Sequence, residues 1–106
     1  MQHFVSFIFL TATATWAADP AGLEFFEKKI RPVLVSECYQ CHSKDEKVKG
    51  GLRLDWKGGW QKGGDSGAAI IPGRVGKSLL IQAIRYSDAE LEMPPKKRLT
   101  AEQVAD

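Results

Sequence analysis

Three residues that could bind a metal or a cofactor lie within five positions of the chain, in the stretch "CYQCH" at 38–42. Two residues separate Cys38 from Cys41, and His42 follows directly. This spacing is the attachment signature of c-type haem. It lets both thiols reach the two vinyl groups on one edge of the porphyrin, and the next residue then lies under the iron. We therefore predict haem c held by Cys38 and Cys41, with His42 as the proximal iron ligand.

Other chemistries use the same residue types. A zinc site needs four ligands, usually from two clusters, and this cluster offers three. A redox-active pair of thiols is compatible with the spacing, although the βαβ context that accompanies such pairs is missing. A disulfide between Cys38 and Cys41 would close too small a loop to add much constraint, and it would leave His42 unexplained. These alternatives stay open at this point, and haem attachment uses all three residues.

A c-type haem raises the question of the second axial ligand. Methionine in that position raises the reduction potential and suits electron transfer. Outside the first seventeen residues the chain has one methionine, Met93, which precedes two prolines. Pro94 disfavours helical geometry at Met93, and the two prolines stiffen the loop. We predict Met93 as the distal iron ligand; the alternatives are Met93 as core filler, an open site, or ligation by Lys96 or Lys97.

Residues 1–17 resemble a secretory signal peptide. They contain no Asp, Glu, Lys or Arg, and an apolar run at 4–10 precedes small residues. The missing basic residues depart from the usual pattern. The alternative is an uncleaved anchor, but a spanning helix needs roughly 20 mainly apolar residues. We predict cleavage near Ala17 or Ala18, an exported, periplasmic or extracytoplasmic location, and a haem domain at 18–106 without a membrane span.

The composition narrows the class of protein. A length of 106 residues suggests one domain. The 15 basic and 13 acidic residues give a formal net charge of +2, which gives no support for binding to nucleic acid. A domain this short has a low free energy of unfolding unless a cross-link or a cofactor adds to its small core. A haem that forms much of the core would provide this stability.

The pattern of apolar residues predicts a small all-α domain wrapped around the haem. Apolar positions at steps of three and four predict a helix over 22–37, with Asp19 as its N-cap and Pro20 as its first position. We expect this helix to kink or to restart at Pro32. A glycine-rich loop that packs on something is expected at 43–75. A second helix is predicted over 76–87, followed by an extended loop. Thr100 and Gln103 have capping-box spacing for a last helix, which we expect to be truncated in a longer protein.

Several other side chains are candidates for contact with the haem. Trp56 and Trp60 could wall it or bond a propionate through the indole N–H, or they are core aromatics. Guanidinium groups match carboxylates, so propionate partners could come from Arg31, Arg53 and Arg74, which are otherwise surface charges.

Four stretches together resemble a known family, the planctomycete-type cytochrome c domain. They are "FFEKKIRPVLVSECYQCH", "GGLRLD", "IIPGRVGKSLLIQAI" and "MPPKKRLTAEQVAD", and the resemblance covers residues 23–106. It implies covalent haem on Cys38 and Cys41 and axial ligation by His42 and Met93. It also implies a module at the front of large exported proteins.

The predicted function is one-electron transfer through the haem, with a redox partner protein or an attached downstream domain as the partner. We expect an electron-transfer module rather than an enzyme, because no nucleophile or paired carboxylate motif stands out; a catalytic domain downstream is compatible with this. One alternative is a haem-based sensing or binding module with a labile sixth ligand. Another is a thiol oxidoreductase.

Overall fold

The computed structural model describes residues 19–106. The predicted signal peptide at 1–17 lies outside the described residues and stays a prediction. Among the residues described, no helix is long and apolar enough to cross a membrane.

The first helix covers 20–38 as four consecutive pieces, α-helical over Pro20–Phe25 and Arg31–Val33 and π-helical over Phe26–Ile30 and Leu34–Cys38. The Asp19 side chain caps it by accepting a hydrogen bond from the Ala21 N–H at 3.1 Å. Pro20 is the first helical residue, where its missing N–H costs nothing. The predicted start of this helix is confirmed.

Pro32 widens the first helix instead of breaking it. A proline removes one backbone donor, and its ring meets the carbonyl four residues earlier. Ahead of Pro32, the Arg31 N–H reaches back five residues to the Phe26 carbonyl. A second five-residue step joins the Tyr39 N–H to the Leu34 carbonyl at 2.9 Å. Such wide turns are frequent at functional sites, and the second one ends at Cys38.

The segment predicted as loop contains a short 3₁₀ turn at Lys49–Gly51 and a second helix at Lys57–Lys62. The prediction of loop throughout 43–75 was therefore wrong for this helix. Its sequence, KGGWQK, has poor helix propensity because it contains two glycines. Packing explains them: a Cβ on Gly58 would collide with the Trp56 ring, and one on Gly59 with the Arg53 carbonyl.

The third helix runs over Leu79–Ile84 and follows a 3₁₀ turn at Val75–Lys77, so it begins three residues later than predicted. Ser78 marks the boundary and is buried. Its hydroxyl donates to the Arg74 carbonyl at 3.0 Å and accepts from the Ile71 N–H at 3.0 Å. These bonds hold the preceding turn against the start of the helix.

The fourth helix runs over Ala101–Ala105, after an extended loop that carries Met93. Thr100 Oγ1 accepts from the Gln103 N–H at 3.1 Å, and Gln103 Oε1 accepts from the Thr100 N–H at 2.9 Å. The predicted capping box is confirmed. Within residues 19–106 the elements are helical, and β-pairing is limited to isolated bridges, so the all-α class is confirmed.

The buried apolar residues form a small core in the described part of the chain: Leu54, Ala69 and Ala83. All three also line the cavity described below. The buried core residues therefore also form part of the wall of the cavity. By contrast, large apolar side chains of the first helix, such as Leu23 and Val35, are exposed.

Candidate functional site

A cavity of about 350 Å³ lies between the end of the first helix, the glycine-rich segment, the third helix and the Met93 loop. Its volume is in the range of small-molecule sites, roughly 300–1,000 Å³. The apolar part of its wall consists of Leu52, Leu54, Ala69, Leu79, Leu80, Ala83, Ile84, Leu91, Pro94 and Pro95. All four predicted site residues also line it: Cys38, Cys41, His42 and Met93.

Cys38, Cys41 and His42 come together through a tight turn at the end of the first helix. The Cys38 carbonyl accepts from the Cys41 N–H at 3.2 Å and from the His42 N–H at 3.0 Å. The turn brings both cysteines and the histidine to one cavity. Both cysteines are free, and no disulfide joins them. The structure therefore does not contain the disulfide that was one of the alternatives.

Burial raises the pKa of the Cys38 thiol to about 11, and the neighbouring Glu37 carboxylate adds to this effect. The thiol is therefore protonated at neutral pH. Reactive cysteines of redox enzymes have a lowered pKa, because the thiolate is the nucleophile. The environment of Cys38 thus argues against a redox-active pair of thiols.

His42 is held by backbone groups on both its ring and its main chain. Its Nδ1 lies 3.2 Å from the Leu52 carbonyl oxygen, which can only accept, so the bonded tautomer carries its proton on Nδ1. Its own carbonyl accepts from the Leu54 N–H at 2.8 Å. This arrangement leaves the Nε2 lone pair free to bind a metal, with the ring orientation set by the other nitrogen.

Met93 reaches the same cavity from a different part of the chain. Its N–H donates to the Ala83 carbonyl at 3.1 Å, which ties the loop to the end of the third helix. Its side chain is one of those that line the cavity. A soft thioether at this position is available to a metal in the cavity.

The predicted aromatic and arginine contacts lie elsewhere. Trp56 is 55% exposed and packs on Gly58 and Gly59, with the Arg53 guanidinium 5.4 Å from its ring centre. Neither Trp56 nor Trp60 lines the cavity, and neither does any of the three candidate arginines. Arg31 instead pairs with Glu27 at 2.7 Å, and Arg53 pairs with Asp55 at 3.0 Å. Arg31 and Arg53 are thus paired surface charges in this structure, and contact of any of the five side chains with the haem stays a prediction.

Several residues that line the cavity could not be predicted from the sequence. The charged ones are Glu37, Lys49 and Asp65. Nothing in the sequence distinguishes Lys49 from the other lysines of the glycine-rich segment, and its position follows from the bond between its N–H and the Cys41 carbonyl, at 2.8 Å. Gly64 also lines the wall, where a Cβ would collide with the Gly50 carbonyl.

A second depression, of about 540 Å³, lies beside the fourth helix and is lined by Ile84, Arg85, Arg98, Leu99, Ala101, Val104 and Ala105. Apart from Ile84, it shares no lining residue with the first cavity. It contains none of the predicted cofactor ligands.

Comparison with known families decides the class of this site. The family described as planctomycete cytochrome C matches residues 38–97, which is more than half of the chain. The chain belongs to the planctomycete cytochrome c family. Its cofactor is therefore haem c, with iron, and its role is a haem-based redox role. No match was found among curated proteins or among solved structures.

The donor groups of the cavity are suited to this cofactor. Two free thiols stand one turn apart, an imidazole keeps Nε2 available, and a thioether is present on the loop. Apolar side chains make up most of the remaining wall, as a largely apolar porphyrin requires. Cytochrome c domains are typically extracytoplasmic.

Proposed function

We propose that this chain is a one-electron transfer module in which Cys38 and Cys41 bind haem c as thioethers and His42 and Met93 bind the iron. The observation that carries the proposal is that these four residues, from two distant parts of the chain, line one cavity. Membership of the family indicates the cofactor. The four residues provide the groups that could bind it.

The chain binds and orients the haem and shields it from water. When bound, haem c supplies an iron that takes up and releases one electron. The Leu52 carbonyl orients the His42 ring, and the His42 Nε2 is the proximal donor. The Met93 sulfur is the distal donor and favours a high potential. The apolar wall, including Leu54 and Ala83, excludes water from the site.

The module transfers electrons to or from another protein rather than catalysing a reaction itself. Its partner is a redox protein or a domain attached downstream, in an exported protein that loses residues 1–17 on secretion. Support comes from the resemblance to modules at the front of large exported proteins and from the family's typical location. Nucleic acid is not a partner, in line with the small net charge.

The direct test is the intact mass of the protein after expression with a haem-attachment machinery. We expect a gain of one haem, a new amino terminus near residue 18, and reduced and oxidised spectra typical of a c-type cytochrome. Cys38→Ser serves as the control that removes one thioether. A protein that emerges with two free thiols and no haem would contradict the proposal.

A second candidate function is a sensing or binding module with a labile sixth ligand. The way the Met93 loop is held favours it, because two hydrogen bonds join the loop to the rest of the chain, at Met93 and at Pro94, and regions with few such contacts open locally at lower cost. The methionine–iron charge-transfer band of the oxidised protein separates the two functions. A band that persists in the presence of imidazole indicates electron transfer, and a band that is readily lost indicates sensing.

A further inference from the structure

The loop that carries Met93 is hydrogen-bonded at two successive residues, once to the third helix and once to the turn that follows it. The Met93 N–H donates to the Ala83 carbonyl at 3.1 Å. The next residue, Pro94, accepts through its carbonyl from the Tyr86 hydroxyl. Ala83 belongs to the third helix, and Tyr86 lies in the turn after its end. The backbone on both sides of the Met93 side chain is therefore bonded to this helix and its following turn.

Tyr86 has an unusual backbone conformation. Its φ of 57° makes it the one non-glycine residue with a positive φ in the part of the chain that the structure describes. A bulky side chain rarely adopts this conformation, and it persists where the surrounding structure over-determines it. Here two contacts do so: the hydroxyl bonds Pro94, and the Arg98 guanidinium lies 4.9 Å from the centre of the ring.

Arg98 comes from the segment just beyond the prolines, so Tyr86 contacts the Met93 loop on both sides of Pro95. The hydroxyl holds Pro94, and the ring face holds Arg98 through a cation–π contact. Tyr86 does not line the cavity. It therefore acts on the site through the loop rather than by touching the cofactor.

We propose that Tyr86 is a positioning residue that latches the Met93 loop and so determines how readily the distal ligand leaves the iron. The inference rests on the proposed ligation by Met93. Loss of the hydroxyl removes one of the two bonds that flank Met93 and leaves the Pro94 carbonyl without its partner. The loop then moves away more easily, and an external ligand competes better for the iron.

The test compares imidazole binding to the oxidised, haem-loaded protein as wild type, Tyr86→Phe and Ser87→Ala. Tyr86→Phe keeps the ring and its contact with Arg98. Ser87→Ala also removes a hydroxyl donor, but one that bonds the Gln82 carbonyl at 3.4 Å instead of the Met93 loop, at a residue that does not line the cavity. We expect Tyr86→Phe to bind imidazole roughly tenfold more tightly, because one hydrogen bond no longer opposes displacement. We expect Ser87→Ala to match the wild type.

Imidazole affinity of Tyr86→Phe within about twofold of wild type would overturn the latch while leaving Met93 ligation intact, as would an equal change in Tyr86→Phe and Ser87→Ala. A wild-type protein that carries haem but shows no methionine–iron band would overturn Met93 ligation and the latch together. If Tyr86→Phe does not accumulate, Arg98→Gln replaces it. This variant keeps the hydroxyl and removes the guanidinium; a smaller increase in imidazole affinity supports the proposal, and no increase overturns it.

Discussion

The segment that carries Cys38, Cys41 and His42 differs from the loop that carries Met93 in how its backbone is held. In the first, the Cys41 carbonyl accepts from Lys49 and the His42 carbonyl accepts from Leu54, both at 2.8 Å. Buried Ser43 adds a bond from its hydroxyl to the Tyr39 carbonyl at 2.6 Å. This segment, with its partners at 48–54, is called here the proximal segment.

The distal loop, at 88–99, is held by fewer hydrogen bonds to the rest of the chain. Met93 is bonded to Ala83, and Pro94 is bonded to Tyr86. Regions with few buried contacts open locally at lower cost. The difference suggests a division of labour. Under the proposed ligation, the proximal segment would retain the cofactor, and the distal loop would provide the sixth ligand and so influence the reduction potential.

The largest expected effect comes from removing both thioether positions in the proximal segment. Cys38→Ala combined with Cys41→Ala should abolish covalent haem, because the two sulfurs are the attachment points that the proposal assigns. Intact mass and haem staining after denaturing electrophoresis measure this. Met93→Ala is the matched control and should retain the full haem mass. Covalent haem in the double variant would mean that attachment uses other residues.

The second effect concerns the distal loop alone. Met93→Ala should remove the methionine–iron charge-transfer band and lower the reduction potential by roughly 0.1–0.3 V, a fraction of the ~0.8 V range that axial ligands span. Spectroelectrochemistry measures both. Lys96→Gln, a change in the same loop that keeps Met93 and adds no sulfur ligand, should leave the band in place. An unchanged potential in Met93→Ala would assign the sixth position to another group.

The same contrast explains what could be predicted from the sequence. Asp19 and the Thr100–Gln103 capping box were predictable because a cap depends on residues within one turn. The Cys38 to His42 grouping was predictable for the same reason. Met93 could be proposed as the second iron ligand because it is the one methionine outside the first seventeen residues.

Features that depend on how the backbone turns in the folded chain were not predictable from residue types. The second helix contains Gly58 and Gly59, whose propensity argues against a helix, and it forms under the Trp56 ring. Lys49 lines the cavity through its backbone bond to Cys41. Arg53 looked available for a propionate, but it is paired two residues away with Asp55. Such pairings follow from the folded path of the chain.

A third, smaller effect tests how much the proximal segment depends on its core. Leu54 is 5% exposed and donates its N–H to the His42 carbonyl. Leu54→Ala should lower the free energy of unfolding by about 2–5 kcal/mol, since it removes a buried side chain beside the cavity. Leu23→Ala makes the same change where the side chain is 53% exposed and should cost less than about 0.5 kcal/mol. Denaturant unfolding of the haem-loaded protein measures both, and equal costs would contradict the structure.

The smallest effect concerns an ion pair that holds the proximal segment together. Asp55 accepts from Arg53 at 3.0 Å through both carboxylate oxygens, and from the Lys44 N–H at 3.1 Å. The Arg53 hydrogen bonds, followed by the backbone bonds, lower the pKa of Asp55 from 3.8 to about 2. A depressed carboxyl pKa adds stability above the unfolded-state value, and that stability is lost as pH falls from about 4 to about 2.

Near neutral pH, Asp55→Asn should therefore have a lower free energy of unfolding than the wild type. As the pH falls from about 4 to about 2, its free energy of unfolding should decrease by less than that of the wild type. The effect should be modest, because Arg53 and Asp55 keep 30% and 19% of their side-chain surface exposed and solvent weakens the pair. Glu24→Gln, which changes the more exposed Glu24–Lys28 pair of the first helix, is the control and should follow the wild type. Denaturant midpoints measured at several pH values test this, and parallel pH curves for wild type and Asp55→Asn would show that the pair does not hold the proximal segment.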